Sequence, residues 1–151
     1  MATGLKAKLY KGTGKSLADA IFTEDGRIAH LTSIGEQKAT VDEIETTDLD
    51  CVDGYKTFEA GMSDNGSIAI AGNITAENYA KLKALNVRDE DGNYPVVPFA
   101  VYHPVVTDIN GKFMAWLADV GRGELTPGGL VTFSATLRIS GKIEEFAGIT
   151  E

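Results

Sequence analysis

The chain carries one cysteine, Cys51, two histidines, one tryptophan and four prolines in 151 residues. A lone cysteine cannot close an internal disulfide, so a stapled secreted scaffold is excluded and a reducing compartment is the simplest reading. The acids around Cys51 disfavour a thiolate and make it a poor nucleophile. His30 and His103 each stand without an Asp, Cys or second His at ligand spacing, which leaves a metal centre or a catalytic triad unsupported. No catalytic residue, metal or cofactor is therefore expected. Long apolar runs are missing as well: none approaches the roughly 20 residues of a membrane helix, and the first eleven residues lack the apolar core of a signal peptide. Membrane insertion and Sec export are not expected.

Basic charge is also in deficit. Lys and Arg number 14 against 22 Asp and Glu, a net charge of −8, which argues against a duplex-DNA binder that neutralises phosphates. The charge is unevenly spread. Residues 1–15 hold Lys6, Lys8, Lys11 and Lys15 with no acid, whereas residues 36–64 hold nine acids against Lys38 and Lys56. Two oppositely charged segments on one chain can meet within a molecule or between copies, and such complementarity chiefly fixes register and association rate.

What is present is an average globular composition, 43% hydrophobic and 24% charged, that fits one domain over residues 1–151. A domain of this size buries about 70% of its unfolded surface and folds on its own core. Its most informative stretch begins as a strand near Lys38 and loses its alternation after Val41. Asp42, Glu43, Glu45, Asp48, Asp50 and Asp53 then accumulate faster than buried partners can neutralise them, so the segment is solvated or meets another molecule. Strict alternation resumes at Ser67-Ile-Ala-Ile-Ala-Gly-Asn-Ile. The expectation is a basic N-terminal arm over about residues 1–15 and a long acidic loop over about residues 42–64, a length that marks functional or disordered connections.

The rest reads as short strands between turns. Asp25-Gly26 predicts a hairpin between Ala18–Phe22 and Arg27–Leu31, and Asn110-Gly111 predicts a second one between Val105–Ile109 and Phe113–Val120. The run from Leu130 places Val131, Phe133, Ala135, Leu137 and Ile139 on one face and Thr132, Ser134, Thr136 and Arg138 on the other, a half-buried antiparallel strand. Ser140-Gly141 ends it before a short strand near Lys142–Phe146. Thr75 is an N-cap for a helix from Ala76 to Leu85, with Ala76, Tyr79, Ala80 and Leu82 or Lys83 on helical spacing. Pro95 and Pro98 demote the first half of the strand from Tyr94 to Tyr102 to an edge. Trp116 on its alternating strand reads first as core. These elements predict a mainly β, α+β fold: two antiparallel sheets packed as a sandwich with one flanking helix.

Three motif-like stretches fail on inspection. Gly12-Thr-Gly14-Lys15-Ser16 has Leu9 where a phosphate-binding loop needs glycine. Asp48, Asp50 and Asp53-Gly54, with Glu59, have the third ligand and the glycine each one position late for an EF-hand, and Asp89, Asp91 and Gly92 are similarly truncated.

The order of parts is nonetheless distinctive: a basic arm, a strand pair, the excursion with Glu45-Thr-Thr-Asp-Leu-Asp and Gly54-Tyr-Lys-Thr-Phe, then Gly66-Ser-Ile-Ala-Ile-Ala-Gly-Asn, a helix, and the closing Val131-Thr-Phe-Ser-Ala-Thr-Leu-Arg-Ile-Ser-Gly. Taken whole, the chain resembles the tail tube protein, or major tail protein, of bacteriophages with long non-contractile tails. The resemblance implies hexameric rings that self-assemble, stack around a tape-measure protein, meet terminator and tip proteins, and conduct phage DNA into the host without binding it specifically. It also implies residence in the virion tail after assembly in the host cytoplasm. Heterologous contacts build rings, and stacking needs a second contact type. The expected stacking residues are Lys6, Lys8, Lys11 and Lys15 with Asp42, Glu43, Glu45, Asp48, Asp50, Asp53, Tyr55, Phe58 and Glu59. Asp119, Glu144 and Glu145 are candidates for a carboxylate-lined lumen that repels phosphates. The alternatives are monomeric binding modules: a β-barrel carrier of an apolar ligand, or a sandwich that binds carbohydrate with calcium.

Overall fold

A computed structural model describes residues 6–36, 38–50, 52–88 and 90–148. The start of the basic arm, Cys51 and Asp89 lie outside the described residues. Eight strands and one helix follow in chain order: β1 (Lys8–Lys11), β2 (Leu31–Ile34), β3 (Thr40–Glu45), β4 (Phe58–Asp64), β5 (Ser67–Asn73), α1 (Ala76–Leu85), β6 (Val97–Tyr102), β7 (Gly111–Arg122) and β8 (Thr132–Glu145). Six of the strands form one antiparallel sheet in the order β1-β6-β7-β8-β5-β2, and β3 pairs with β4 in a sheet of its own. The mainly β fold of antiparallel sheets with one helix is thus as expected.

The alternation of β8 lays Phe133, Ala135, Leu137 and Ile139 on its buried face, and they join Ile68 and Ile70 of β5, Phe113 and Leu117 of β7 and Phe99 of β6 in one core. Helix α1 links β5 to β6, which lie on opposite sides of the β7–β8 pair, so it crosses that pair and adds Leu82 and Leu85 to the core. The sheet also curls. Ile28 donates its N–H to the carbonyl of Leu9 on the edge strand β1 at 2.9 Å, and three residues later Leu31 pairs with Gly72 at the other edge. The two edges of the sheet are therefore a few residues of chain apart, and the fold is close to a barrel wrapped on its own core. A second cluster covers the far side of β1 and β6, where Phe22 and Phe146 sit on Tyr10 and Ala100.

Helix α1 is bounded as the cap predicts. The hydroxyl of Thr75 accepts from the N–H of Asn78, and the Asn78 side chain accepts from the N–H of Thr75 at 2.8 Å, a capping box. The buried face differs from expectation, because Asn78 is 1% exposed and points inward beside Leu82 and Leu85. Its amide donates to the carbonyls of Ala29 at 2.8 Å and Asn73 at 3.0 Å, so the polar group is satisfied where hydropathy alone reads it as solvated.

Several expectations are corrected. Neither dipeptide forms a two-residue hairpin turn, although β6 and β7 do pair as a hairpin through the longer connection of residues 103–110. Glu24–Gly26 is a 3-10 turn, and a Cβ at Gly26 would overlap the carbonyl oxygen of Lys11: glycine is required there by the close approach of β1. Thr107–Ile109 is likewise a 3-10 turn, after which Asn110 accepts from the N–H of His103 at 2.6 Å. Strand β8 runs through Gly141, whose φ of 92° absorbs a bulge opposite Lys112 and Met114, so the strand expected near Lys142–Phe146 is its continuation. Strand β6 is interior rather than an edge. Pro98 is tolerated because its nitrogen and carbonyl face the side on which β1 has ended, and the carbonyl accepts from Gly12 at 2.8 Å. Trp116 lies half-buried on the face away from the core, stacked on Tyr94 at 6.2 Å between centroids.

Candidate functional site

The acidic stretch is a hairpin, and that replaces the expected loop over residues 42–64. Strands β3 and β4 pair antiparallel from Thr40 opposite Asp64 to Glu45 opposite Phe58. The pairs that flank the interruption, Ile34 opposite Ile70 in β2 and β5 and Thr40 opposite Asp64 in β3 and β4, share one register, and each ladder shifts by one residue farther out, between Leu31 and Ser33 and between Val41 and Glu43. A single long hairpin thus runs through both sheets, interrupted at residues 35–39 and 65–66. Its inner half is locked in the core sheet, while every described side chain of β3 and β4 except Gly61 is exposed. Six residues at about 3.4 Å each carry it roughly 20 Å beyond the interruption. Solvation on both faces is what removes the alternation from the sequence.

The expected stacking residues Asp42, Glu43, Glu45, Phe58 and Glu59 lie on the two strands, and Asp48, Asp50, Asp53 and Tyr55 lie on the connecting tip, residues 46–57. The tip is organised. Thr46 and Thr57 share a hydroxyl–hydroxyl bond of 2.8 Å, and the carboxylates of Asp48 and Asp53 accept from the N–H groups of Asp50 and Tyr55. The acids here are turn-formers, and among the described residues no cluster of three or more His, Cys, Asp or Glu is arranged for a metal. Apolar side chains accompany them: Val41, Ile44, Leu49, Val52, Tyr55, Phe58 and Met62 are each at least half exposed, and Leu49 and Val52 fully so.

The interruption is pinned to β8. Arg138 donates to the carboxylate of Asp64 at 2.8 Å, the side-chain amide of Asn65 donates to the carbonyl of Gly141 at 2.7 Å, and Ile139 donates to the carbonyl of Gly66 at 3.0 Å. Gly66 has φ of 73°, a left-handed conformation that glycine accepts without strain. The Arg138 hydrogen bond, followed by that from the N–H of Gly66, holds the Asp64 carboxyl below its ordinary 3.8, and the same contact raises Arg138.

The basic segment differs from a free arm. Lys8 and Lys11 are half-buried residues of β1, in register with Tyr102 and Phe99 of β6, whereas Lys6 and Lys15 are exposed. Gly12 lies against the Phe22 ring, so this glycine serves packing and not phosphate. Beside β1 opens a cleft of about 420 Å³ lined by Lys6, Ala7, Lys8, Arg27, Tyr102 and Pro104. Arg27 pairs with Glu24 at 3.3 Å. Among the described residues neither Lys6 nor Lys8 is in an ion pair. Arg27 and Tyr102 escape sequence reading because the turn and β6 that carry them are remote in the chain.

Asp119, Glu144 and Glu145 are all exposed, but the structure does not bring them together. Asp119 sits at a bulge of β7 opposite Thr136, while Glu144 and Glu145 close β8 opposite Lys112 and Gly111. Of the histidines, His30 is exposed, and His103 is buried with Nδ1 accepting from the N–H groups of Val105 and Val106 at 3.1 and 3.0 Å.

No protein-family profile matches the sequence. No curated protein matches it by sequence either. The fold is another matter. A chain from the tail of an empty GTA particle, solved by helical refinement with C6 symmetry, superposes with a TM-score of 0.67 at 15% identity over 97% of this chain and all of that one. A chain from the native gene transfer agent virion gives 0.67 at 16% identity over the same shares. A chain from the sheath-tube complex of an extracellular contractile injection system, in its extended state, gives 0.64 at 11% identity over 97% of this chain and 93% of that one. The chain has the tail-tube fold. The superposition covers nearly all of this chain and the whole of each GTA chain. At these identities the fold is shared while individual side chains are not, so the contacts above are this chain's own.

Proposed function

We propose that this chain is a tail tube subunit whose copies join in sixfold rings that stack into a conduit for DNA delivery from a virion with a long non-contractile tail. Its role is structural and not catalytic. The reading is carried by the fold it shares, end to end, with a chain of a sixfold tail. It is supported by the hairpin of residues 40–64, whose acids and apolar side chains its own body leaves uncovered. An exposed two-stranded ribbon is marginal alone and gains most when a partner covers it. In this reading the hairpin reaches the adjacent ring already paired, with Thr46 and Thr57 bridging the base of its tip, which lowers the entropy lost on docking.

The other expected partners follow from the same reading: a tape-measure protein inside the tube, terminator and tip proteins at its ends, and DNA that passes without specific binding. Net charge of −8 suits such a conduit, with Asp119, Glu144 and Glu145 as the proposed lumen carboxylates. The carrier alternative draws no support from a core filled by Phe99, Phe113 and Phe133. Negative-stain electron microscopy of the concentrated, purified chain tests the proposal. Rings or rods of uniform diameter support it, and a monodisperse monomer at every concentration removes it.

A further inference from the structure

We infer that the cleft of Lys6, Lys8, Arg27 and Tyr102 is the receptor for the hairpin tip of a second copy of this chain. The inference rests on the tube reading for its setting, but it names a contact that can be tested separately. Three observations carry it.

The first is charge. The tip and strands of the hairpin present Asp42, Glu43, Glu45, Asp48, Asp50 and Glu59, none of which is in an ion pair among the described residues. The cleft brings three cations to one opening, of which Lys6 and Lys8 have no acidic partner among the described residues and only Arg27 is shared with Glu24. A surface that is −8 overall has few places where an acidic finger is attracted rather than repelled, and this is one.

The second is apolar matching. Leu49 and Val52 on the tip are fully exposed and Tyr55 nearly so, while the cleft adds the Tyr102 ring, Pro104 and Ala7 between its cations. Charges at a rim around apolar anchors is the usual anatomy of a specific interface. The third is reach. Among the described residues β3 and β4 form a sheet of their own, tied to the body at Asp64, so the tip projects roughly 20 Å out toward a neighbour.

The experiment uses full-length chains in which Cys51 is replaced by Ser. One carries Asp50→Cys and the other Lys8→Cys, and a short bis-maleimide is added to the mixture and to each chain alone. The expected result is a cross-linked pair in the mixture alone, reduced several-fold in 0.5 M salt because exposed charges are then screened. In parallel, Lys6→Glu with Lys8→Glu is expected to raise the concentration needed for rods by at least about tenfold with an unchanged circular dichroism spectrum, and adding Asp48→Lys with Asp50→Lys to the same chain is expected to restore assembly. Rods that form unimpaired from the Lys6→Glu, Lys8→Glu variant, with no cross-link in the mixture, overturn the cleft contact and leave the tube reading standing. A salt-sensitive cross-link without rods from any chain keeps the contact and overturns the tube.

Discussion

Arg138 in the middle of β8 and Asp64 at the end of β4 are 74 residues apart and form a 2.8 Å ion pair that ties the root of the projecting hairpin to the core sheet. Both side chains are well exposed, so the pair orients the hairpin more than it stabilises the domain. Arg138→Ala is expected to leave the melting temperature nearly unchanged and to accelerate amide exchange in residues 58–66. Equal acceleration throughout β5 and β8 would show that the pair supports the sheet instead.

The same pair sets a pH dependence. The Asp64 carboxyl is held below 3.8 in the fold, so its contribution is fully present above that ordinary value and is lost as pH falls through the lowered one. Arg138 stays protonated throughout. Exchange at the hairpin root, corrected for intrinsic rates, is therefore expected to be flat from neutral pH down to about pH 4 and to rise below it. In Asp64→Asn the root should be loosened at neutral pH already and show no such rise.

Asn78→Ala removes two donors to part-buried carbonyls and one acceptor from the helix cap. Leaving those partners unsatisfied is expected to cost about 2–4 kcal/mol in urea unfolding. Asn78→Asp keeps the cap acceptor but puts a carboxylate against the carbonyls of Ala29 and Asn73, so it should fail to rescue.

At Gly72 a Cβ would come within 2.6 Å of the His30 carbonyl and 2.8 Å of the Leu31 Cα, both backbone atoms that cannot step aside cheaply. Gly72→Ala is expected to push β2 away from β5 and destabilise the domain by roughly 2 kcal/mol or more, with loss of protection centred on residues 31–34. Unaltered protection there would mean that the edge strand yields easily.

Ile44→Ser with Phe58→Ser changes two exposed apolar side chains of the hairpin. Surface changes of this kind alter stability by no more than about 0.5 kcal/mol, so unfolding should be unaffected while rod formation is suppressed. Rods formed as readily as by the unaltered chain would remove these side chains from the assembly contact.

Where burial is one-sided, the fold is legible in the sequence. Strand β8 from Thr132 to Ile139 and the Thr75 cap of α1 read directly, because a buried face writes a period of two and a cap writes a hydroxyl before a helical run. The hairpin strands read only at their start, up to Val41, since residues wet on both sides carry no period. The Asp25-Gly26 and Asn110-Gly111 dipeptides mislead for a different reason: glycine is needed there by a neighbouring strand or a buried start of β7, and not by a two-residue turn. The cleft is illegible because Lys8, Arg27 and Tyr102 meet only through the pairing of β1 with β6 and the curl of the sheet.

Because β4 runs on into β5, a tug on the far end of the finger along its axis is met by all seven rungs of the β5–β8 ladder at once, as shear, and not one rung at a time. The force arrives at β8, the longest strand and the middle of the molecule, through Arg138, Gly141 and Ile139. The finger is thus anchored like a tie-rod, with its load spread along the longest strand of the body.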